Sequence, residues 1–246
     1  MNNLNKYPIF CGSDTSGGVS NIILKKLVEA GKKNKPYGED SFTKLAKVQF
    51  KKIFNNENLD IIPMISGTAS NAFALSLMTK KNDYVICHKQ AHILTSECGA
   101  PQFFNSGIKL KSISSSDGKL NANLINNCLE NNVNKNIVGV SVSQLSENGT
   151  NYSIESLKNI GEICKKNKLF FHMDGARFSN SLCSLKVKPD EMTWKLGLDC
   201  LTIGATKNGA YAAEAIIFFN KNKLKNYKFF QKRSGHVIAK TNFISS

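Results

Sequence analysis

Two short stretches hold residues that could do chemistry together. In FFHMDGAR, Phe170–Arg177, an apolar run of strand character ends in Asp174, followed at once by a glycine and then by Arg177. A carboxylate so close to a buried strand is costly to desolvate unless a cation or a strong hydrogen-bond donor meets it. In GATKNG, Gly204–Gly209, a second apolar run opens into small residues around one lysine, Lys207. Small neighbours shield its amine little, and such an amine can condense with an aldehyde. Paired with a carboxylate able to keep a pyridinium nitrogen protonated, the lysine points to an organic cofactor that accepts electrons. Taken singly, Asp174 reads as a strand-end cap and Lys207 as a solvent lysine; it is the combination that suggests the site.

Other residues fit around this pair. Ser66-Gly67-Thr68 lies between a strand-like and a helix-like segment, where amides at a helix N-terminus and two hydroxyls can meet a phosphate. The same turn also reads as an ordinary N-cap. His92 sits in KQAHILTSE and is either structural or catalytic; Glu97 either orients it or lies at the surface. Cys87, His88, His92 and Cys98 match no pair of metal-ligand knuckles, so no metal is expected. Of 33 basic residues only Arg177 and Arg233 are arginine. Where lysine is the default cation, an arginine beside a strand-end aspartate suggests a need for its fork, as in bidentate carboxylate recognition.

The motifs SDTSGG (from Ser13), SGTASNAFAL (from Ser66), CHKQAHILTSECGAP (from Cys87), HMDGARFSN (from His172) and TWKLGLDCLTIGATKNG (from Thr193) cover nearly the whole chain. At these residues the sequence resembles the pyridoxal-phosphate enzymes of fold type I and, within them, the low-specificity L-threonine aldolases. The resemblance implies pyridoxal 5'-phosphate, with Lys207 as its Schiff-base lysine and Asp174 as its pyridinium partner. It places the phosphate at Gly67 and Thr68, with Ser66 or Ser70 nearby, and stacks His92 on the ring, where it helps proton transfer at the substrate hydroxyl. Arg177 is implied at the ring oxygen and the substrate carboxylate, shared with Ser13. Tyr37 is similar to a family tyrosine near the cofactor that reaches a neighbouring subunit's site. His172 packs under the sheet end.

The activity so implied is retro-aldol cleavage of L-threonine or L-allo-threonine to glycine and acetaldehyde, by a homodimer or homotetramer acting on a small amino acid. Two alternatives stand beside it: other fold type I lyase chemistry such as β-elimination, and a non-catalytic subunit that binds the cofactor. Family members continue into a smaller C-terminal domain that supplies another arginine. Residues 1–246 are therefore expected to form the cofactor-binding large domain, with residues 1–36 leading into it and the small domain absent.

Positioning these residues requires a sheet whose strand ends meet. Strand-like segments at Ile61–Ile65, Tyr84–Cys87, Ile108–Ile113, Ile137–Val142, Leu169–Met173, Leu201–Ile203 and Ala215–Phe219 alternate with helical patterns. Among the helices are Ala69–Thr79, Ala122–Glu130 and Ile154–Cys164. A stripe of Ile23, Leu24, Leu27 and Val28 follows a capping Ser20, and YGED at Tyr37–Asp40 turns into a further helix. Such βα repetition predicts an α/β fold: a mostly parallel sheet with helices on both faces, in three αβα layers, with ligands at the carboxyl ends of the strands.

Composition narrows the class. At 246 residues and 41% hydrophobic content the chain can bury a full core as one domain. No apolar run is long enough for a bilayer, and MNNLNKYPIF has no basic leader followed by an apolar stretch, so a cytoplasmic protein is expected. The seven cysteines lack paired spacing and read as reduced thiols. The net charge of +15 comes from scattered lysines with few aromatics beside them, which fits a solvated surface better than a nucleic-acid groove.

Overall fold

Among the described residues the apolar runs become seven strands: β1 Asp60–Met64, β2 Tyr84–His88, β3 Lys109–Ile113, β4 Ile137–Ser143, β5 Phe170–Gly175, β6 Cys200–Gly204 and β7 Glu214–Phe218. A computed structural model of the chain describes residues 12–104, 107–221 and 227–246; the N-terminal stretch read for a leader, and Cys11, lie outside these. The strands form one sheet in the order β1-β7-β6-β5-β4-β2-β3. From β6 to β3 the neighbours pair in parallel. Strand β7 pairs antiparallel with both β6 and β1, so among the described strands it alone runs against the rest. The reason is connection length: Ala205 to Ala213 is too short for the crossover that a parallel neighbour needs. β1 lies at the sheet edge, which accommodates Pro63, a residue with no N–H to give a ladder.

Helices cover both faces. On one, α3 (Gly67–Met78) packs Phe73 and Ala74 against Ile62, Met64, Ile216 and Phe218. On the other, α6 (Ala122–Glu130) and α7 (Ile154–Lys166) bring Ile125, Leu157 and Ile160 onto Val140 and Phe171. Between β2 and β3 lie two short helices, α4 (His92–Thr95) and α5 (Ala100–Phe104). The sequence pattern leaves α8 (Phe178–Leu185) unmarked, and also α9 (Tyr227–Arg233) and α10 (Asn242–Ser245). The predicted first helix forms as α1 (Asn21–Ala30), yet its stripe is not a core face, because Leu24 and Val28 remain 45% and 74% exposed.

The turn at Tyr37–Asp40 does launch α2 (Ser41–Ile53). Asp40, 1% exposed, accepts from the Thr43 amide at 2.7 Å and from its hydroxyl at 2.8 Å. Replacing this buried cap, Asp40→Ala, should cost about 1 to 2 kcal/mol. Urea unfolding of the two proteins measures it, and an unchanged midpoint would show that the cap is replaceable by water.

Candidate active site

Parallel strands finish on one edge, so residues just past their ends converge there. Ser66, Gly67 and Thr68 follow β1; His92 follows β2; Glu147 follows β4; Asp174 is the last residue but one of β5, ahead of Arg177; Lys207 follows β6. Glu214 joins them from the start of β7, because that strand runs the other way. Together they enclose a cavity of about 240 Å³, lined among others by Gly67, Thr68, His92, Asp174, Arg177 and Lys207.

Asp174 is 6% exposed, and the donors expected beside it are an amide side chain and a backbone amide, not a cation. Asn71 Nδ2 donates to its Oδ2 at 2.8 Å, and the Ala176 amide donates to its Oδ1 at 3.1 Å. Asn71 Nδ2 also donates to Glu97 Oε1 at 2.8 Å, and Glu97 Oε1 lies 2.8 Å from His92 Nδ1. Glu97 is therefore not a surface carboxylate but a buried partner of His92. Its hydrogen bond raises the His92 imidazole above its ordinary value, while burial raises Glu97 itself. His92, Glu97 and Asp174 have ligand-type atoms within 4.8 Å of one another, and Asn71 and His92 already tie them together. Of the knuckle candidates, His88 accepts from the Gln90 amide and meets Ser115, and Cys87 is buried with its thiol pushed up to about 12.

Ser66 both caps α3, accepting from the Ala69 amide at 3.1 Å, and lines the cavity. Ser70 turns inward, its hydroxyl donating to the Ser66 carbonyl at 2.8 Å. Gly67 and Thr68 open the helix, so their amides have no carbonyl a turn behind them within it. At Gly67 an added Cβ would have a single heavy atom within 4 Å, Glu214 Oε2 at 3.9 Å, which leaves room for a group to approach the backbone. Lys207 lies on a tight turn, Thr206–Asn208, closed by Gly209 at φ 86°. The Ser20 amide tethers that turn through the Gly209 carbonyl at 2.9 Å.

Arg177 does grip a carboxylate with its fork, and in this structure the carboxylate is Asp14: Nε to Oδ2 at 2.6 Å and Nη2 to Oδ1 at 3.3 Å. That bond holds the Asp14 carboxyl below its ordinary value. Ser13 caps the Asp14–Ser16 turn through the Thr15 amide, and Thr15, not Ser13, lines the cavity. Tyr37 is 59% exposed and lies outside this cavity, with Lys232 Nζ 5.7 Å from its ring centroid.

His172 sits beneath the site, fully buried, bonded to Ser141 Oγ at 2.9 Å and Thr202 Oγ1 at 3.2 Å. Burial pushes it down to about 4. With a depressed folded value, its contribution to stability is present above the unfolded value and lost as pH falls towards the folded one. Between pH 7 and pH 5 the unfolded chain takes up a proton that the folded protein refuses, a loss of about 2 kcal/mol. Denaturant unfolding at the two pH values should show it, and His172→Asn should flatten the dependence by that share; an equal slope in the variant would assign it elsewhere.

Asn71, Thr15, Glu147 and Glu214 were not singled out by the motifs. Glu214 accepts from Thr206 Oγ1 at 2.6 Å and, like Glu147, is raised by burial. An acid at the head of the apolar run AIIFF was its signal, the same one that marked Asp174. For Asn71 the only signal was a polar residue amid the buried face of α3.

The residues present fit pyridoxal phosphate. Open helix amides beside a glycine suit its phosphate, a buried carboxylate suits its ring nitrogen, and a lysine on the same cavity suits its aldehyde.

The chain is 38% identical over 213 residues to a low specificity L-threonine aldolase from a Pseudomonas species, covering 85% of this chain and 61% of that relative. Against the low specificity L-threonine aldolase of Pseudomonas aeruginosa it is 34% identical over 238 residues, covering 95% of this chain and 68% of that one. The chain thus spans about two thirds or less of these relatives' lengths. The solved threonine aldolase of Leishmania major superposes with a TM-score of 0.88 at 30% identity, over 95% of this chain and 69% of that one. An archaeal alanine:glyoxylate aminotransferase, 16% identical at a TM-score of 0.69, shares the fold alone. The beta-eliminating lyase family profile matches residues 12–245. With that profile spanning nearly all of a fold type I sheet and the lysine, aspartate and glycine turn gathered on one cavity, the chain belongs to the beta-eliminating lyase family.

Proposed function

We propose that this chain is the pyridoxal-phosphate-binding large domain of an aldehyde-lyase that cleaves L-threonine or L-allo-threonine to glycine and acetaldehyde. The observation that supports it most is that Asp174 and Lys207, at the ends of the adjacent strands β5 and β6, line one cavity with the Gly67–Thr68 amides. Bound there, pyridoxal phosphate supplies a sink for the electron pair left when the Cα–Cβ bond breaks.

The chain's own residues then divide the work. Lys207 would hold the cofactor through its side-chain amine. The amides of Gly67 and Thr68, with the Ser66 hydroxyl, anchor the phosphate. Asp174 keeps the proton on the ring nitrogen. Arg177 receives the substrate carboxylate through Nη1, which stands outside its pair with Asp14; Ser13 lies on the same turn as Asp14. His92, its Nδ1 committed to Glu97, offers Nε2 to the β-hydroxyl and takes its proton as the bond breaks. Arg177, Ser13 and His92 would together hold the substrate by its carboxylate and its β-hydroxyl, and so fix which bond to Cα is set to break.

A small amino-acid substrate, a cytoplasmic location and a homodimer or homotetramer complete the proposal, with Tyr37 directed to a neighbouring subunit's site. Among the described residues no helix is long and apolar enough to cross a membrane. The deciding experiment adds pyridoxal phosphate and L-threonine to purified protein and follows the cofactor's absorbance together with both products. Acetaldehyde and glycine in equal amounts support the aldol reading. Ammonia with a keto acid would replace it by β-elimination, and a cofactor band without product would leave a binding subunit.

A further inference from the structure

Asn71 is 1% exposed in a buried stretch of α3 that also holds Ser70, Ala72, Phe73, Ala74 and Leu75. An amide placed among apolar side chains is costly unless its protons are used. Here both are: one Nδ2 contact at 2.8 Å goes to Glu97 Oε1 and the other at 2.8 Å to Asp174 Oδ2. The orientation is fixed by chemistry, because a turned amide would aim its oxygen at two carboxylates. What remains unpaired is Asn71 Oδ1 on one side and Glu97 Oε2 on the other, both buried. Glu97, with its side chain at 0% exposure, thus depends on two donors that share one oxygen, Asn71 and His92.

We propose that Asn71 is a positioning residue of this site: by joining Glu97 to Asp174 it keeps Glu97 ionised and oriented, and through Glu97 it sets the tautomer and basicity of His92. This deepens the proposed lyase reaction, in which His92 takes a proton from the substrate. A buried carboxylate that is hydrogen-bonded to a histidine holds the proton on Nδ1 and leaves Nε2 as the base, the arrangement by which a buried aspartate serves the histidine of hydrolytic triads. Without Asn71, the nearby Asp174 charge and burial both favour a protonated Glu97. A neutral Glu97 holds imidazolium less well, so the His92 midpoint should fall. The groups that face His92 are Glu97, Asp174 and Glu147, and the last two remain when Asn71 is replaced.

The test is a histidine proton NMR titration of the full chain without added cofactor. It is therefore decided independently of whether the protein turns over threonine. The chain has four histidines, and the His92 resonance is assigned by its absence from His92→Asn. Asn71→Ala should shift the His92 midpoint downward while His88, held by Ser115 and Gln90, stays in place. Glu97→Gln should also lower it, and adding Asn71→Ala to Glu97→Gln should lower it no further. An unmoved midpoint in Asn71→Ala, or an equal shift with and without Glu97, overturns the proposal. Should Asn71→Ala not fold, the wild-type protein decides alone: the Glu97 side-chain carboxyl carbon must show the ionised shift at neutral pH, and a protonated shift there rejects the role.

Discussion

Lys207→Ala is expected to abolish the proposed lyase reaction, with any L-threonine turnover falling to that of free pyridoxal phosphate in buffer, and to end the covalent attachment proposed for the cofactor. Among the residues lining the cavity Lys207 is the one lysine, so no neighbour stands ready to replace its amine. Its position does not depend on its own side chain. The turn is held by the Thr206 hydroxyl on Glu214, by the left-handed Gly209 and by the Ser20 amide, and all three survive the substitution. Folding should therefore be kept while chemistry is lost, which separates this variant from a merely destabilised one. Lys207→Arg should be equally inactive, since a guanidinium keeps the charge and not the nucleophile. Borohydride reduction followed by peptide mass spectrometry locates the bond: a pyridoxyl group on Lys207 in the wild type and on no lysine of the variant. Finding it on another lysine, or finding turnover in the variant, would falsify the assignment.

What the sequence disclosed and what it withheld follow from the range of the forces involved. Asp174, Lys207 and the Ser66-Gly67-Thr68 turn were legible because each breaks a local pattern: a charge at the end of an apolar strand, or small residues where a strand should become a helix. Neighbouring strand ends then bring them together, and a parallel sheet guarantees the shared edge. Pairings across the chain left no such local mark. Asn71 looked like one more residue of a small-residue helix, and only the fold shows that its amide spans two carboxylates. The fork geometry expected of Arg177 is present, but its partner Asp14 lies 163 positions away and belongs to a motif whose serine had drawn notice instead. Strand direction was equally non-local: β7 reads like any βα strand until the short Ala205–Ala213 link is weighed against the crossover a parallel neighbour needs. Tyr37 rested on resemblance, and in this chain it faces Lys232 outside the cavity.

Asp174→Asn should retain the fold and the attachment at Lys207 yet lower kcat by about 10³-fold, the scale of removing a preorganised electrostatic partner. The two side chains have the same shape but different hydrogen-bonding capacity. Asp174 accepts from Ala176 on one oxygen and from Asn71 on the other. Asparagine has a single oxygen, so one of these donors must face an NH₂ group. It also cannot accept a proton-bearing ring nitrogen while satisfying both. The loss should therefore fall on the chemical step and leave cofactor affinity much less affected. Single-turnover kinetics with the cofactor preloaded separate these quantities. A slow step with nearly normal binding assigns Asp174 to the ring nitrogen. Weakened binding with the preloaded rate intact would instead make it a structural clasp between Asn71 and the Ala176 amide. The network predicts a companion effect on His92, because Asp174 is one of the charges that raise its midpoint and neutralising it should lower that midpoint even without the cofactor.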